Sequence, residues 1–257
     1  MKIGLLKEEK IPEDKRVGLT PTQCTMLVER YPFIELVIKS SKNRCFSDEM
    51  YASEGIRVVK DLNDCDVLLG IKEVPIPSLI PNKTYFFFSH TIKKQKYNRN
   101  LLHKMMELNI SMIDYEALKD KQGNRLLGFG RYAGIVGAYN GLLSYGLKSE
   151  SYKLKPAYKC SGRQQMENQL QHLRLSNEKI IVTGNGRAGK GAIELLERAN
   201  IKKVSKAEFI SKEFNEPVFV HLDALDYNTR KDGRSSNKDD FYNNPRLYKS
   251  VFTDFTK

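Results

Sequence analysis

The sequence predicts an α/β protein of two lobes built on parallel sheets, the second lobe incomplete. Three observations predict it. Short apolar runs recur through the first half of the chain, continuous rather than alternating, as suits strands buried on both faces of a parallel sheet. Segments of helical length and spacing separate these runs, giving a βαβαβ rhythm. A glycine-rich turn between an apolar strand and an amphipathic helix then opens a second such pattern, which the chain does not finish.

Taken in order, the strand-length runs cover residues 3–6, 34–38, 67–71, 85–88 and 110–113. Helices are expected over 21–29, 48–54 and 98–108. Thr20 followed by Pro21 is a strong start signal, an N-cap with proline at the first helical position. Gly55 falls where the second helix should stop. Residues 1–131 therefore read as a first α/β domain carrying substrate and catalysis. In AGIVGAYNGLLSYGL, small residues recur at close intervals, so a helix packed tightly on another backbone should connect the lobes. Residues 148–176 are rich in lysine and glutamine and read as a surface helix or insertion, making 132–176 a connection. The remainder, 177–257, is the partial second domain. Beyond Pro217 the chain turns polar, with 218–222 its one further strand candidate.

Bulk properties narrow the class. In 257 residues there are 43 basic and 31 acidic side chains, a net charge of +12, but the signs interleave, as in KEEKIPEDKR. No helix presents an arginine-rich face, so a lysine-rich solvated surface that attracts anionic ligands is the expectation, and nucleic acid is not a partner. No apolar stretch approaches the roughly 18 residues of a spanning helix, and charges occupy the place of a secretion signal's apolar core. A cytoplasmic protein that engages no membrane is expected. Cys24, Cys45, Cys65 and Cys160 are widely spaced, without a CxxC pair or a nearby histidine at ligand spacing, so no metal site is expected and reduced thiols are.

Lys179-Ile180-Ile181-Val182-Thr183 reads as a strand, and Gly184-Asn185-Gly186-Arg187-Ala188-Gly189 follows at once, leading into a helix. G-x-G-x-x-G in this setting has a mechanism. The first glycine makes the turn, the second lets a pyrophosphate approach, and the third lets helix and strand pack closely, while the helix N-terminus supplies amide donors. A Rossmann-like dinucleotide site is expected at Gly184, Gly186, Arg187, Ala188 and Gly189. An acid for the adenosine ribose should follow about 20 residues on. Glu208 lies close to that distance, although SKAEFISKEF is not a clean strand end. NAD is favoured over NADP.

In the first lobe, Arg16 follows the first strand, Lys72 the strand 67–71, and His90 the strand 85–88. Ligands of open α/β sheets bind at the carboxyl ends of strands, and consecutive strands tend to be neighbours. Lys72 and His90 should therefore share one crevice, where mutual repulsion of two cations would lower the pKa of each toward the range useful for proton transfer.

These segments carry a resemblance. KEEKIPEDKRVGLTP resembles the opening of the alanine dehydrogenase and transhydrogenase N-terminal domain family. GIKEVP (70–75), FFFSHTIKK (86–94), MIDYEAL (112–118) and GFGRYAGIVGA (128–138) bring it closer to the lysine-forming saccharopine dehydrogenases. The resemblance implies acid–base roles for Lys72 and His90, a substrate-carboxylate role for Arg16, and tuning charges at Lys93 and Glu116. It implies an NAD-dependent oxidoreductase that cleaves saccharopine, a small amino-acid substrate, to lysine and 2-oxoglutarate. Alanine dehydrogenase activity is the alternative, as is a truncated, non-catalytic dinucleotide-binding homologue. A homo-oligomer is left open.

Two departures stand out. A complete dinucleotide domain needs about six strands, and the chain after Gly184 offers few, so a fragment is expected. Arg131 stands where an aromatic or apolar residue is expected.

Overall fold

A computed structural model describes residues 1–256, which fall into two compact units, 1–128 and 129–256.

The first unit runs β1 (Lys2–Leu5), α1 (Pro21–Arg30), β2 (Glu35–Lys39), α2 (Asp48–Ser53), β3 (Arg57–Val59), β4 (Val67–Leu69), β5 (Thr84–Phe87), α3 (Arg99–Glu107) and β6 (Ser111–Asp114). All six strands are parallel and ordered β3-β2-β1-β4-β5-β6. That is the doubly wound order, in which the winding reverses between β1 and β4 and leaves a crevice at their carboxyl ends. Strand β3 is the one that the apolar runs did not announce, and its residues lie half-exposed or exposed at the sheet's edge. One core, with Ile3, Leu5, Leu36 and Ile38, covers one sheet face, and another, with Val37, Leu68, Tyr85 and Phe87, covers the other. Thr20 caps α1 in a reciprocal pair with Gln23, with Pro21 at the first helical position. Cys24 and Cys65 lie buried in these cores, where desolvation pushes the thiols up to about 12 and about 11.

The second unit runs α4 (Gly130–Ser149), α5 (Arg163–Asn168), β7 (Lys179–Thr183), α6 (Arg187–Arg198), β8 (Lys202–Lys203), α7 (Lys206–Ser211), β9 (Val218–Leu222), β10 (Asn228–Arg230), α8 (Lys238–Asn243) and β11 (Tyr248–Ser250). Its parallel sheet has three described strands in the order β7-β9-β8. The third strand thus lies between the first and second, unlike a doubly wound half. Burial explains this. Lys202 and Lys203 are exposed and suit an edge, whereas Val218, Phe219, Val220 and Leu222 are buried and suit a centre.

The small-residue helix packs tightly on another backbone as expected, and that backbone is α6 of the second unit: a Cβ on Gly134 would lie 1.9 Å from the Ala188 carbonyl oxygen, and one on Gly191 would lie 2.0 Å from that of Arg131. Two expectations for this unit need correcting. Residues 148–176 are no surface appendage, since Tyr152, Leu154, Met166 and Leu170 enter the core with Ile135 and Leu195. The polar tail also holds further structure. Strands β10 and β11 pair antiparallel, and Arg230, on β10, bonds Asp232 and Asp240, the latter also receiving the Tyr248 hydroxyl.

Candidate active site

The first unit's candidate residues follow neighbouring strands at one edge of the sheet. Arg16 follows β1, Lys72 and Glu73 follow β4, His90 follows β5, and Glu116 follows β6. Because β1 and β4 flank the reversal point, Arg16 and Lys72 open onto the crevice that the topology creates.

Glu8 bridges that point. Its carboxylate accepts from the Ile71 amide at 2.7 Å and the Lys72 amide at 2.8 Å, fixing the backbone that presents Lys72. Burial raises the Glu8 pKa against the opposing effect of those two amides.

Glu73 is the hub of the next cluster. Its Oε1 meets His90 Nδ1 at 2.5 Å, and its Oε2 accepts from Lys10 Nζ at 2.6 Å. Burial pushes the carboxyl up, but the bonds from Lys10 and His90 outweigh it and leave Glu73 below its ordinary value. His90 is thereby oriented through one ring nitrogen. It adopts φ +56°, a left-handed conformation uncommon for a non-glycine residue. The adjoining Ser89 hydroxyl is buried and bonds Thr91 and, at 2.5 Å, Asp114 of β6.

Carboxylates accompany the two expected cations. His90 faces Glu73, and Asp14 lies in the field of Lys72. Arg16 differs from expectation: Asp14 already grips its guanidinium, through Nε at 2.9 Å and Nη2 at 2.5 Å. Asp14 is held below its usual range, chiefly by that bond. A carboxylate ligand reaching Arg16 must therefore share or displace Asp14.

Lys93 and Glu116 come together at 3.3 Å, and Arg125 meets the same Glu116 oxygen at 3.3 Å. The second oxygen, Oε2, is buried without a hydrogen-bond partner among the described residues. An acceptor left in this state is costly, and a cationic or N–H ligand would satisfy it. Sequence reasoning missed Glu8, Lys10, Asp14 and Glu73. The charges of KEEK and GIKEVP were visible, but their partners lie 63 and 64 residues away for the Glu8 and Lys10 bonds.

In the second unit, the turn has the geometry its motif requires. Gly184 has φ +89°, and a Cβ on Gly189 would lie 2.0 Å from the Gly184 carbonyl oxygen, so helix and turn approach as only glycine permits. A Cβ on Gly186 would meet nothing within 4 Å. That open cradle at the start of α6 fits a pyrophosphate, with Gly184 through Gly189 able to hold it.

Glu208 does not stand where a ribose acid is needed. It occupies the third position of α7, where Oε2 accepts from the Ser205 amide and hydroxyl and Oε1 from Lys212. These bonds, that from Lys212 foremost, hold it at about 2. It also follows β8, two strands from the glycine turn and thus about 10 Å away at the usual strand spacing. Arg131 has a structural account: it clamps α4 to α6 through two 2.8 Å bonds to Glu194, which Arg163 also binds.

Among the described residues no group of histidine, cysteine or acidic side chains could hold a metal ion. No helix there is long and apolar enough to cross a membrane.

Residues 4–136 match the family model described as alanine dehydrogenase/PNT, N-terminal domain. The chain is 27% identical to the alpha-aminoadipic semialdehyde synthase of Arabidopsis thaliana, over 97% of this chain and 27% of that protein. It is 28% identical to the saccharopine dehydrogenase [NAD(+), L-lysine-forming] of Emericella nidulans, over 76% of this chain and 56% of that one. The chain therefore spans about a quarter of the first relative and about half of the second. Among solved structures, an L-alanine dehydrogenase shares the fold with TM-score 0.58 at 17% identity, covering 88% of this chain and 62% of that one.

Proposed function

The chain belongs to the alanine dehydrogenase/PNT N-terminal domain family, and on that premise we propose that it serves an NAD-dependent oxidoreductase that cleaves saccharopine to lysine and 2-oxoglutarate. One observation carries the reading: Arg16, Lys72 and His90 follow three neighbouring strands, β1, β4 and β5, at the reversal point of the first unit's sheet. The likeness to a lysine-forming saccharopine dehydrogenase supports the choice of substrate.

The chemistry asks for a cation that holds a substrate carboxylate, a base for the secondary amine, and an acid for the departing amine. When bound, NAD supplies the acceptor for the hydride that leaves the substrate carbon. The residues of this chain do the rest. Arg16 pairs with a substrate carboxylate in a bidentate fork, in exchange with Asp14. Lys72 and His90 take the proton from the secondary amine as the imine forms, activate the water that adds to its carbon, and return a proton to the lysine nitrogen as the C–N bond breaks. Glu73 keeps the His90 ring aligned for that exchange. The unsatisfied oxygen of Glu116 accepts from a substrate amino group.

The test is an assay of the protein with NADH and two substrate pairs. Turnover with lysine plus 2-oxoglutarate is expected. Turnover confined to pyruvate plus ammonia would replace the reading with alanine dehydrogenase activity.

A further inference from the structure

An acid for the adenosine ribose belongs at the carboxyl end of the strand beside the glycine-turn strand, so that its carboxylate accepts from the ribose hydroxyls. In a doubly wound half that neighbour is the second strand, which is why Glu208 is the sequence's candidate. Here the neighbour of β7 is β9.

The register makes the consequence specific. Thr183 pairs with Leu222, so Gly184 and Asp223 stand level, one residue beyond the ladder. The two ends are tied together. The Gly184 amide donates to the Leu222 carbonyl at 2.9 Å, and the Gly184 carbonyl meets His221 Nε2 at 3.0 Å. Asn185, inside the turn, interacts with the Asp223 carboxylate, adding to the effects of Lys238 and the Ala224 amide that hold it below its usual range. Among the described residues no other acid follows directly from the end of a strand in this sheet: β7 is followed by Gly184 and β8 by Val204.

The geometry points to Asp223, rather than Glu208, as the residue that accepts the adenosine-ribose hydroxyls and selects NAD over NADP. The inference rests on the dinucleotide reading of the turn. Asp223 already has partners: Oδ1 caps the Ala224 amide at 2.7 Å, the side chain also accepts from the Asp226 amide, and Oδ2 pairs with Lys238. With Asn185 these contacts fill the roughly four lone-pair sites of a carboxylate, so the ribose hydroxyls take the place of the exposed Asn185 or Lys238 side-chain contact while the two backbone amides fix the carboxylate. The same charge opposes the 2′-phosphate of NADP.

Direct binding separates this role from that of a cap. Titration of the whole chain with NADH and with NADPH, followed by nicotinamide fluorescence, should give a preference for NADH of about tenfold or more. Asp223→Asn keeps an oxygen to cap Ala224 but removes the charge. It should weaken NADH by about tenfold and narrow the preference, while Glu208→Gln changes neither. Unchanged NADH affinity in Asp223→Asn, or a loss in Glu208→Gln instead, would overturn the assignment. Should Asp223→Asn fail to fold, the wild-type preference still decides: equal affinities, or tighter NADPH, refute it. Failure of the dinucleotide reading looks different, as no binding of either cofactor by the wild type and no effect of Gly186→Val.

Discussion

Both units contain parallel strands alternating with helices, and they differ in strand order. The first completes a six-stranded, doubly wound sheet, with every strand beside the neighbour that its winding prescribes. The second brings its third strand between the first two, because a pair of exposed lysines cannot sit at a sheet's centre and Val218-Phe219-Val220 can. In the first unit, chain order therefore predicts which residues share a crevice. In the second, the same rule points to Glu208, which lies two strands too far away. Spacing motifs hold only while strand order holds, and strand order follows burial.

The proposed function divides chemistry and cofactor between the units in the same way, and that division is tested most severely at Lys72 and His90. Lys72→Met and His90→Gln should each lower kcat by about 10²-fold or more while leaving NADH affinity unchanged. Normal turnover in the double variant would remove the first unit from the chemistry. Next in size is Gly189→Ala, where the added methyl meets the Gly184 carbonyl. Overpacking should destabilise the second unit by about 1–3 kcal/mol. Hydrogen exchange should show faster opening there and not across β1–β6; a uniform change would mean that the units unfold as one.

A smaller effect is expected at Glu73. Glu73→Gln keeps a neutral acceptor near His90 but loses the charge, and kcat should fall about tenfold, or ~1.4 kcal/mol, with KM for the amino-acid substrate nearly constant. A rise in KM alone would make Glu73 a substrate contact rather than a positioning residue.

The smallest effect is a pH slope confined to the first unit. Burial raises the Glu8 pKa in the folded state, so between the ordinary carboxyl value and the raised one the folded chain holds more protons than the unfolded chain. Glu8's contribution to stability is present below that window and declines as pH rises through it. Asp14 and Glu73 have lowered values and act in the opposite sense, losing their contribution as pH falls. Comparing urea unfolding of the wild type and Glu8→Gln from about pH 4 to about 7 cancels their share. A difference that grows with pH in favour of Glu8→Gln is expected; a flat difference would sink the account.

Much of the fold is legible along the chain alone. The five apolar runs are all strands within a residue or two, and for those inside the sheet the reason is that a strand buried on both faces needs a continuous apolar run whatever lies beside it. The strand–turn–helix around Gly184 is equally local, since Gly189 answers a contact with Gly184 in the same turn. Strand β3 stayed hidden because an edge strand of one exposed and two half-exposed residues carries no such run.

Local sequence thus specifies the two α/β units, the glycine turn, and the strand ends that carry Arg16, Lys72 and His90. Tertiary packing was needed to establish that Asp14 grips Arg16, that Glu73 faces His90, that α4 packs within the second unit, and that Asp223 is level with Gly184. The physical reason is common to all but the first. A helix, a turn or a buried strand is specified by neighbours along the chain, whereas an ion pair or a place in a sheet is settled by competition among groups far apart in it. For Asp14 and Arg16, two residues apart, the pairing depended on the loop conformation that brings the fork onto the carboxylate.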